Sequence, residues 1–93
     1  MKIDVFEREI LKKQLKPIHL IMGRGSQVKW FACLDARPQR EYDLIVYDSE
    51  GKALVLPTYE QELDNLNVMP YPGGVTVNGI VPQRDMSLDL FAP

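Results

Sequence analysis

The stretch from residue 27 to residue 56 reads QVKWFACLDARPQREYDLIVYDSEGKALVL and decides the fold of this chain. Residues 27–34 alternate, which indicates a strand with two distinct faces. One face holds Val28, Trp30, Ala32 and Leu34, and the other holds Lys29, Phe31 and Cys33. Residues 41–47 are rich in β-branched and aromatic side chains, which favour strands. The sequence Asp48-Ser49-Glu50-Gly51 is typical of a type I turn and predicts a hairpin with residues 52–56. Consecutive strands with short connections predict an antiparallel sheet.

An amphipathic helix is predicted before these strands, from about residue 4 to residue 16. Asp4 and Glu7 have the spacing of a capping box, and Pro17 is expected to end the helix. At about 100° per residue, apolar side chains collect on one side of this helix. They are Ile3, Phe6, Ile10, Leu11 and Leu15. Residues 18–22 predict a short strand between the helix and the central stretch.

The second half of the chain predicts a shorter helix, an irregular segment and one or two strands. Thr58 and Gln61 have capping-box spacing, so a helix is expected from there to about Leu66. Residues 69–74 (MPYPGG) predict irregular structure because prolines and glycines interrupt regular pairing. Residues 75–81 predict one bent strand or a tight hairpin that turns on Asn78-Gly79.

The predicted fold class is therefore α+β. We expect an antiparallel sheet of about four to six strands, with the N-terminal amphipathic helix and a second short helix packed on one face. Residues 1–85 are expected to form a single domain, and residues 86–93 a C-terminal tail or an edge strand.

The composition is that of a globular protein. The 93 residues are 45% hydrophobic and 26% charged, which suits a single core. Cys33 is the single cysteine, so no internal disulfide is expected. The longest apolar run, residues 30–34, is far shorter than the roughly 20 residues needed to cross a bilayer. Charges interrupt the N-terminus where a signal peptide would be apolar. We expect a cytoplasmic protein with no membrane association.

Few residues point to catalysis or metal binding. His19 and Cys33 lie on neighbouring predicted strands, so a Cys–His pair is one interpretation, and a buried cysteine beside a packed histidine is the other. The carboxylates of Glu60 and Asp64 have no histidine or thiolate with them. The sequence therefore predicts no catalytic residue, no metal site and no cofactor. A small-ligand binder or enzyme that uses His19 and Cys33 is an alternative.

Charge is distributed unequally along the chain. Residues 1–40 hold nine Lys or Arg against four Asp or Glu, whereas residues 41–93 hold two against nine. This division predicts either a basic contact surface or an interleaved fold in which no patch survives. Lysine and arginine side chains close to an aromatic side chain are typical of proteins that bind single-stranded nucleic acid. The residues of this alternative are Arg24, Lys29, Phe31, Arg37 and Arg40.

The chain ends in a short apolar segment, residues 86–93 (MSLDLFAP). Leu88, Asp89, Leu90 and Phe91 resemble the last four positions of the peptide by which bacterial replication and repair proteins dock on the sliding clamp, with Ser87 in place of the glutamine of that family. The resemblance implies a protein-binding peptide at these four residues. The same alternation also suits an edge strand of the domain's own sheet.

Together these features predict a small non-enzymatic binding or adaptor protein that acts through protein–protein contacts and self-associates. The charge division, the irregular segment and the apolar tail all supply contact surface. Single-stranded nucleic-acid binding through residues 24–40 is the alternative.

Overall fold

A computed structural model of the chain describes residues 1–35, 43–57 and 65–92. Within these residues the chain begins with one α-helix and continues with seven strands. The helix α1 spans Ile3–Lys12. The strands are β1 (Lys16–Met22), β2 (Val28–Asp35), β3 (Asp43–Tyr47), β4 (Ala53–Pro57), β5 (Val68–Tyr71), β6 (Gly74–Val77) and β7 (Gln83–Arg84). Short 3-10 turns occupy Arg24–Ser26 and Met86–Leu88.

The strands form two antiparallel sheets, which confirms the α+β class. The main sheet has five strands in the order β1-β2-β3-β4-β7, and β5 pairs with β6 in a separate hairpin. The first four strands of the main sheet are therefore neighbours both in sequence and in space. The predicted second helix falls mostly on residues 58–64, which lie outside the described part of the chain.

Both faces of the main sheet are covered, but by different elements. On one face, here called the helix face, α1 and the C-terminal segment (residues 86–92) pack over the strands. The buried cluster of the helix face is Phe6, Ile10, Val28, Phe31, Cys33, Ile45, Tyr47, Ala53 and Leu90. On the other, here called the hairpin face, β5 and β6 supply the cover. Its buried cluster is Ala32, Leu44, Val46, Val68, Val75 and Val77.

Two bulges interrupt the pairing of β1 with β2. Ile21 pairs with Trp30 and Met22 with Val28, so Lys29 is an extra residue in β2. A bulge shifts the alternation of side chains by one. Val28 therefore joins Phe31 and Cys33 on the helix face, and the predicted grouping of Val28 with Trp30 is wrong.

The ends of α1 differ from the capping-box prediction. The helix begins after Lys2, which has no side-chain cap but pairs with Gln27, so tertiary pairing sets the start. It ends at a Schellman motif before Pro17: the amide of Leu15 donates to the carbonyl of Ile10 at 3.2 Å, and Gln14 has a φ of 56°.

The prediction of irregular structure at residues 69–74 is wrong. Tyr71 pairs with Gly74 across a two-residue turn of Pro72 and Gly73, and Gly73 has a φ of 93°. A proline followed by a glycine at positive φ is the chemistry of a type II turn. Pro70 is tolerated because β5 pairs with a strand on one side only within the described residues.

Replacing Gln14 by glycine should stabilise the protein. A left-handed conformation costs an L-residue about 1–2 kcal/mol, and the greater freedom of glycine in the unfolded chain offsets part of the gain. We expect Gln14→Gly to raise the free energy of unfolding by ~0.5–1 kcal/mol in urea titrations. Gln14→Ala is the matched control, and equal stability of the two variants would contradict the Schellman assignment.

Candidate functional site

The helix face of the sheet is covered on one side of α1 and open on the other. The C-terminal segment covers the side over β3 and β4, where Leu90 packs with Tyr47 and Ala53. On the side over β1 the structure has a groove of about 250 Å³, here called the α1–β1 groove. Its lining residues are Glu7, Ile10, Leu11, Leu15, Pro17 and Phe31. All except Glu7 are apolar, so this side of the helix presents hydrophobic surface.

Exposed apolar side chains extend the α1–β1 groove along the sheet. Leu11 is 80% exposed although it lies on the apolar side of α1. Leu20 and Met22 are 36% and 41% exposed. Their partners in β2 belong to the helix-face cluster, and directly paired residues share a face. The sequence identifies Leu11 as an apolar position of the helix, and the structure shows that the domain does not bury it.

The strand β1 is an edge of the main sheet with features that limit pairing by another strand. Pro17 has no amide hydrogen to donate, and Lys16 adds charge. Pro17 pairs with Cys33 and His19 with Ala32, so Ile18 is the extra residue of a second bulge. Because the proline, the lysine and the bulge disfavour pairing with a strand of another molecule, we expect a partner to contact this edge through side chains.

The predicted protein-binding residues Leu88, Asp89, Leu90 and Phe91 take part in the domain's own packing. Leu90 is fully buried, and its amide donates to the carbonyl of Gly51 at 2.8 Å. The Phe91 ring meets the Phe6 ring edge-on, with centroids 5.6 Å apart. Leu88 is half-buried against the helix-face cluster. In place of a free tail or an edge strand, the structure has a docked segment that begins with the 3-10 turn.

Asp89 holds this C-terminal segment to the sheet. One carboxylate oxygen, Oδ1, accepts from the Ala53 amide at 2.8 Å. The guanidinium of Arg84 donates to both oxygens, with an Nη2–Oδ2 distance of 2.9 Å. The hydrogen bond from Arg84 lowers the pKa of Asp89 below its ordinary 3.8; the Ala53 amide acts in the same direction, and partial burial opposes both.

The lowered pKa predicts a loss of stability in acid. A carboxyl whose pKa is lower in the folded state stabilises the fold above its unfolded pKa, and this contribution disappears as the pH falls through the folded pKa. Asp89→Asn should therefore lower the free energy of unfolding by about 1 kcal/mol near neutral pH and reduce the pH dependence below about pH 4. Urea unfolding near neutral pH and below about pH 4 measures both changes in the free energy of unfolding.

Glu50→Gln is the control for this experiment. Glu50 Oε2 lies 3.7 Å from Lys52 Nζ on the β3–β4 turn, and the Glu50 side chain is 71% exposed. The Glu50→Gln variant should lose stability in acid as the wild type does. If Asp89→Asn also retains that response, the ionised Asp89 does not hold the segment.

His19 and Cys33 are not brought together. His19 pairs with Ala32, whose side chain lies on the hairpin face, whereas Cys33 lies on the helix face. The two side chains therefore leave the sheet on opposite sides. Burial raises the pKa of the Cys33 thiol to about 12, which keeps it protonated and unreactive.

Cys33 should resist alkylation in the folded protein. Its ordinary pKa is 9.0, so the raised pKa strongly lowers the thiolate fraction near neutral pH. We expect a thiol reagent to modify Cys33 at the rate at which the domain opens, and quickly in denaturant. Rapid modification without denaturant would show that the thiol is accessible.

The residues of the predicted nucleic-acid site are divided between different places. Phe31 is 4% exposed and stacks on Phe6, with ring centroids 6.3 Å apart, so it has no free face for a base. Arg24 and Lys29 are exposed. Arg37 and Arg40 lie outside the described residues. Lys29 and Trp30 instead line a shallow groove on the hairpin side with Pro70, Tyr71 and Pro72, a grouping that the sequence does not predict.

Among the described residues, no three histidines, cysteines or carboxylates are grouped so that they could hold a metal ion. No helix in the described part of the chain is long and apolar enough to cross a bilayer. Comparison of the chain with protein-family models, with curated proteins and with solved structures finds no match.

Proposed function

We propose that this chain is a small non-enzymatic binding protein that acts through protein–protein contacts, first of all with a second copy of itself. The observation that carries the proposal is the uncovered α1–β1 groove. It lies on the same face and beside the same helix as the docked C-terminal segment, but no described element of the chain fills it.

The energetics of this surface favour association. Burying one leucine side chain contributes about 1.5–3 kcal/mol, and Leu11 has most of its surface in water. Contiguous exposed apolar surface on a small protein is typical of contact sites. Leu20 and Met22 continue this surface along β1, so a partner would cover more than a single side chain.

A second copy is a suitable partner because the groove can complement itself. Two-fold symmetric interfaces bring the same patch of both subunits together. Apolar surface then meets apolar surface, because Glu7 is the one charged residue among those that line the groove.

The α1–β1 groove supports this function more directly than the C-terminal residues of the sequence prediction. A partner that takes Leu88, Asp89, Leu90 and Phe91 must first remove Leu90 from the core and break the Arg84–Asp89 pair. A partner at the groove displaces nothing. Binding through the C-terminal segment stays a prediction that requires this release.

Leu11→Glu should weaken self-association without unfolding the protein. We expect sedimentation equilibrium to give a dimer for the wild type and a dissociation constant at least about tenfold higher for Leu11→Glu, because the variant places a charge in the apolar contact. Met86→Glu is the control: Met86 is 73% exposed and lies outside the groove. Circular dichroism should show the same folded spectrum for all three proteins.

Two results together would overturn the proposal. The first is a wild type that stays monomeric at high protein concentration. The second is a full-length chain, immobilised on a support, that retains the same cellular proteins whether position 11 is leucine or glutamate. Dimers that Leu11→Glu and Met86→Glu weaken equally would place the interface elsewhere.

A further inference from the structure

We infer that the groove formed by Lys29, Trp30, Pro70, Tyr71 and Pro72 binds single-stranded nucleic acid. This surface, here called the Trp30 groove, has a volume of about 410 Å³. It is independent of the α1–β1 groove and goes beyond the proposed function, because it shares no lining residue with the surface that self-association would use.

The two aromatic side chains of the Trp30 groove are held in place and remain accessible. Trp30 is half-buried, with part of its side chain packed against the hairpin-face cluster. Tyr71 is 45% exposed at the end of β5. The Tyr71 ring lies close over Gly74: a β-carbon at that glycine would come within 2.6 Å of the tyrosine hydroxyl oxygen. Glycine at this position therefore lets the ring lie across the hairpin.

The charge around the Trp30 groove is positive. Lys29 is exposed, and its Cγ lies 3.7 Å from the point where a β-carbon of Gly23 would be, so the lysine lies against the turn that carries Arg24. No Asp or Glu occurs in residues 10–34, which include β1 and all of β2 except Asp35, or in residues 65–84, which include β5 and β6. Asp35 is fully buried at the far end of β2, so the exposed residues of these strands include Lys16 and Lys29 and no carboxylate.

These features match one class of ligand. Single-stranded nucleic acids bind where aromatic rings stack with bases and nearby cations follow the phosphates. A duplex offers no free base face, so it would contact the lysine and arginine alone. A proline-rich peptide also uses aromatic grooves, but its recognition does not require a surface free of carboxylates. The positive charge therefore favours nucleic acid.

Trp30 is the only tryptophan of the chain, so its fluorescence reports directly on the Trp30 groove. We expect an oligothymidylate of about 15 nucleotides to quench this fluorescence in a saturable manner at low salt. Tyr71→Ala should weaken binding about tenfold or more, because it removes a stacking surface, whereas Tyr71→Phe should retain wild-type affinity. Added salt should weaken binding of the wild type, because phosphate contacts release counterions.

Lys29→Glu tests the contribution of charge. It should weaken binding and reduce its salt dependence, whereas Lys52→Glu, the same change on the exposed β3–β4 turn, should have the smaller effect that net charge alone produces. Leu11→Glu should have no larger effect than Lys52→Glu, which separates this site from self-association.

The inference is overturned if no quenching occurs at low salt, if Tyr71→Ala binds as tightly as the wild type, or if Lys29→Glu and Lys52→Glu are equivalent. Quenching by a proline-rich peptide with none by the oligonucleotide would also overturn it, and would assign the Trp30 groove to a protein ligand.

Discussion

The burial of β3 on both faces is the constraint on which the rest of the structure depends. Leu44 and Val46 leave the strand on the hairpin side, Ile45 and Tyr47 on the helix side, and none of the four is more than 1% exposed. A strand of this kind needs apolar cover above and below. The helix with the C-terminal segment supplies one cover and the β5–β6 hairpin supplies the other. Cover is complete at the centre of the sheet and incomplete at β1, which is why the uncovered surface lies there.

The order of the strands preserves the uneven charge of the sequence in space. Because β1 to β4 are neighbours both in sequence and in the sheet, a basic stretch of sequence remains a basic region of the surface. The β1–β2 region exposes Lys16, Arg24 and Lys29, with Asp35 buried at the end of β2, whereas other acids lie in the β3–β4 turn and in the C-terminal segment. Neighbouring strands in a meander do not mix distant parts of the chain, so the alternative of an interleaved fold without a patch does not describe these strands.

Local patterns predict the centre of this fold well and its connections less well. The β3 strand and its turn are evident because residues 43–47 are strongly strand-forming and Gly51 takes the positive φ that ends the turn, 80°. The start of α1 is not evident, since it depends on the pairing of Lys2 with Gln27 rather than on a cap.

The candidate surfaces depend on non-local features that no local pattern contains. The bulge at Lys29 moves Val28 to the helix face and leaves Lys29 beside Trp30 in one groove, while Phe31 belongs to the core of the helix face. Tyr71 reaches Trp30 only because residues 69–74 form a hairpin, which a turn of Pro72 and Gly73 permits. Leu11 is visible as an apolar position, but its exposure follows from how far the other elements extend over the sheet.

The sequential pairing of the strands has a consequence for how the chain folds. Contacts between neighbouring strands close short loops, so the β1–β4 meander can assemble early and at a low cost in chain entropy. The C-terminal segment instead joins Leu90 to Gly51 and Phe91 to Phe6, contacts of long sequence separation. We therefore expect it to dock after the sheet has formed and to open as a unit separate from the sheet.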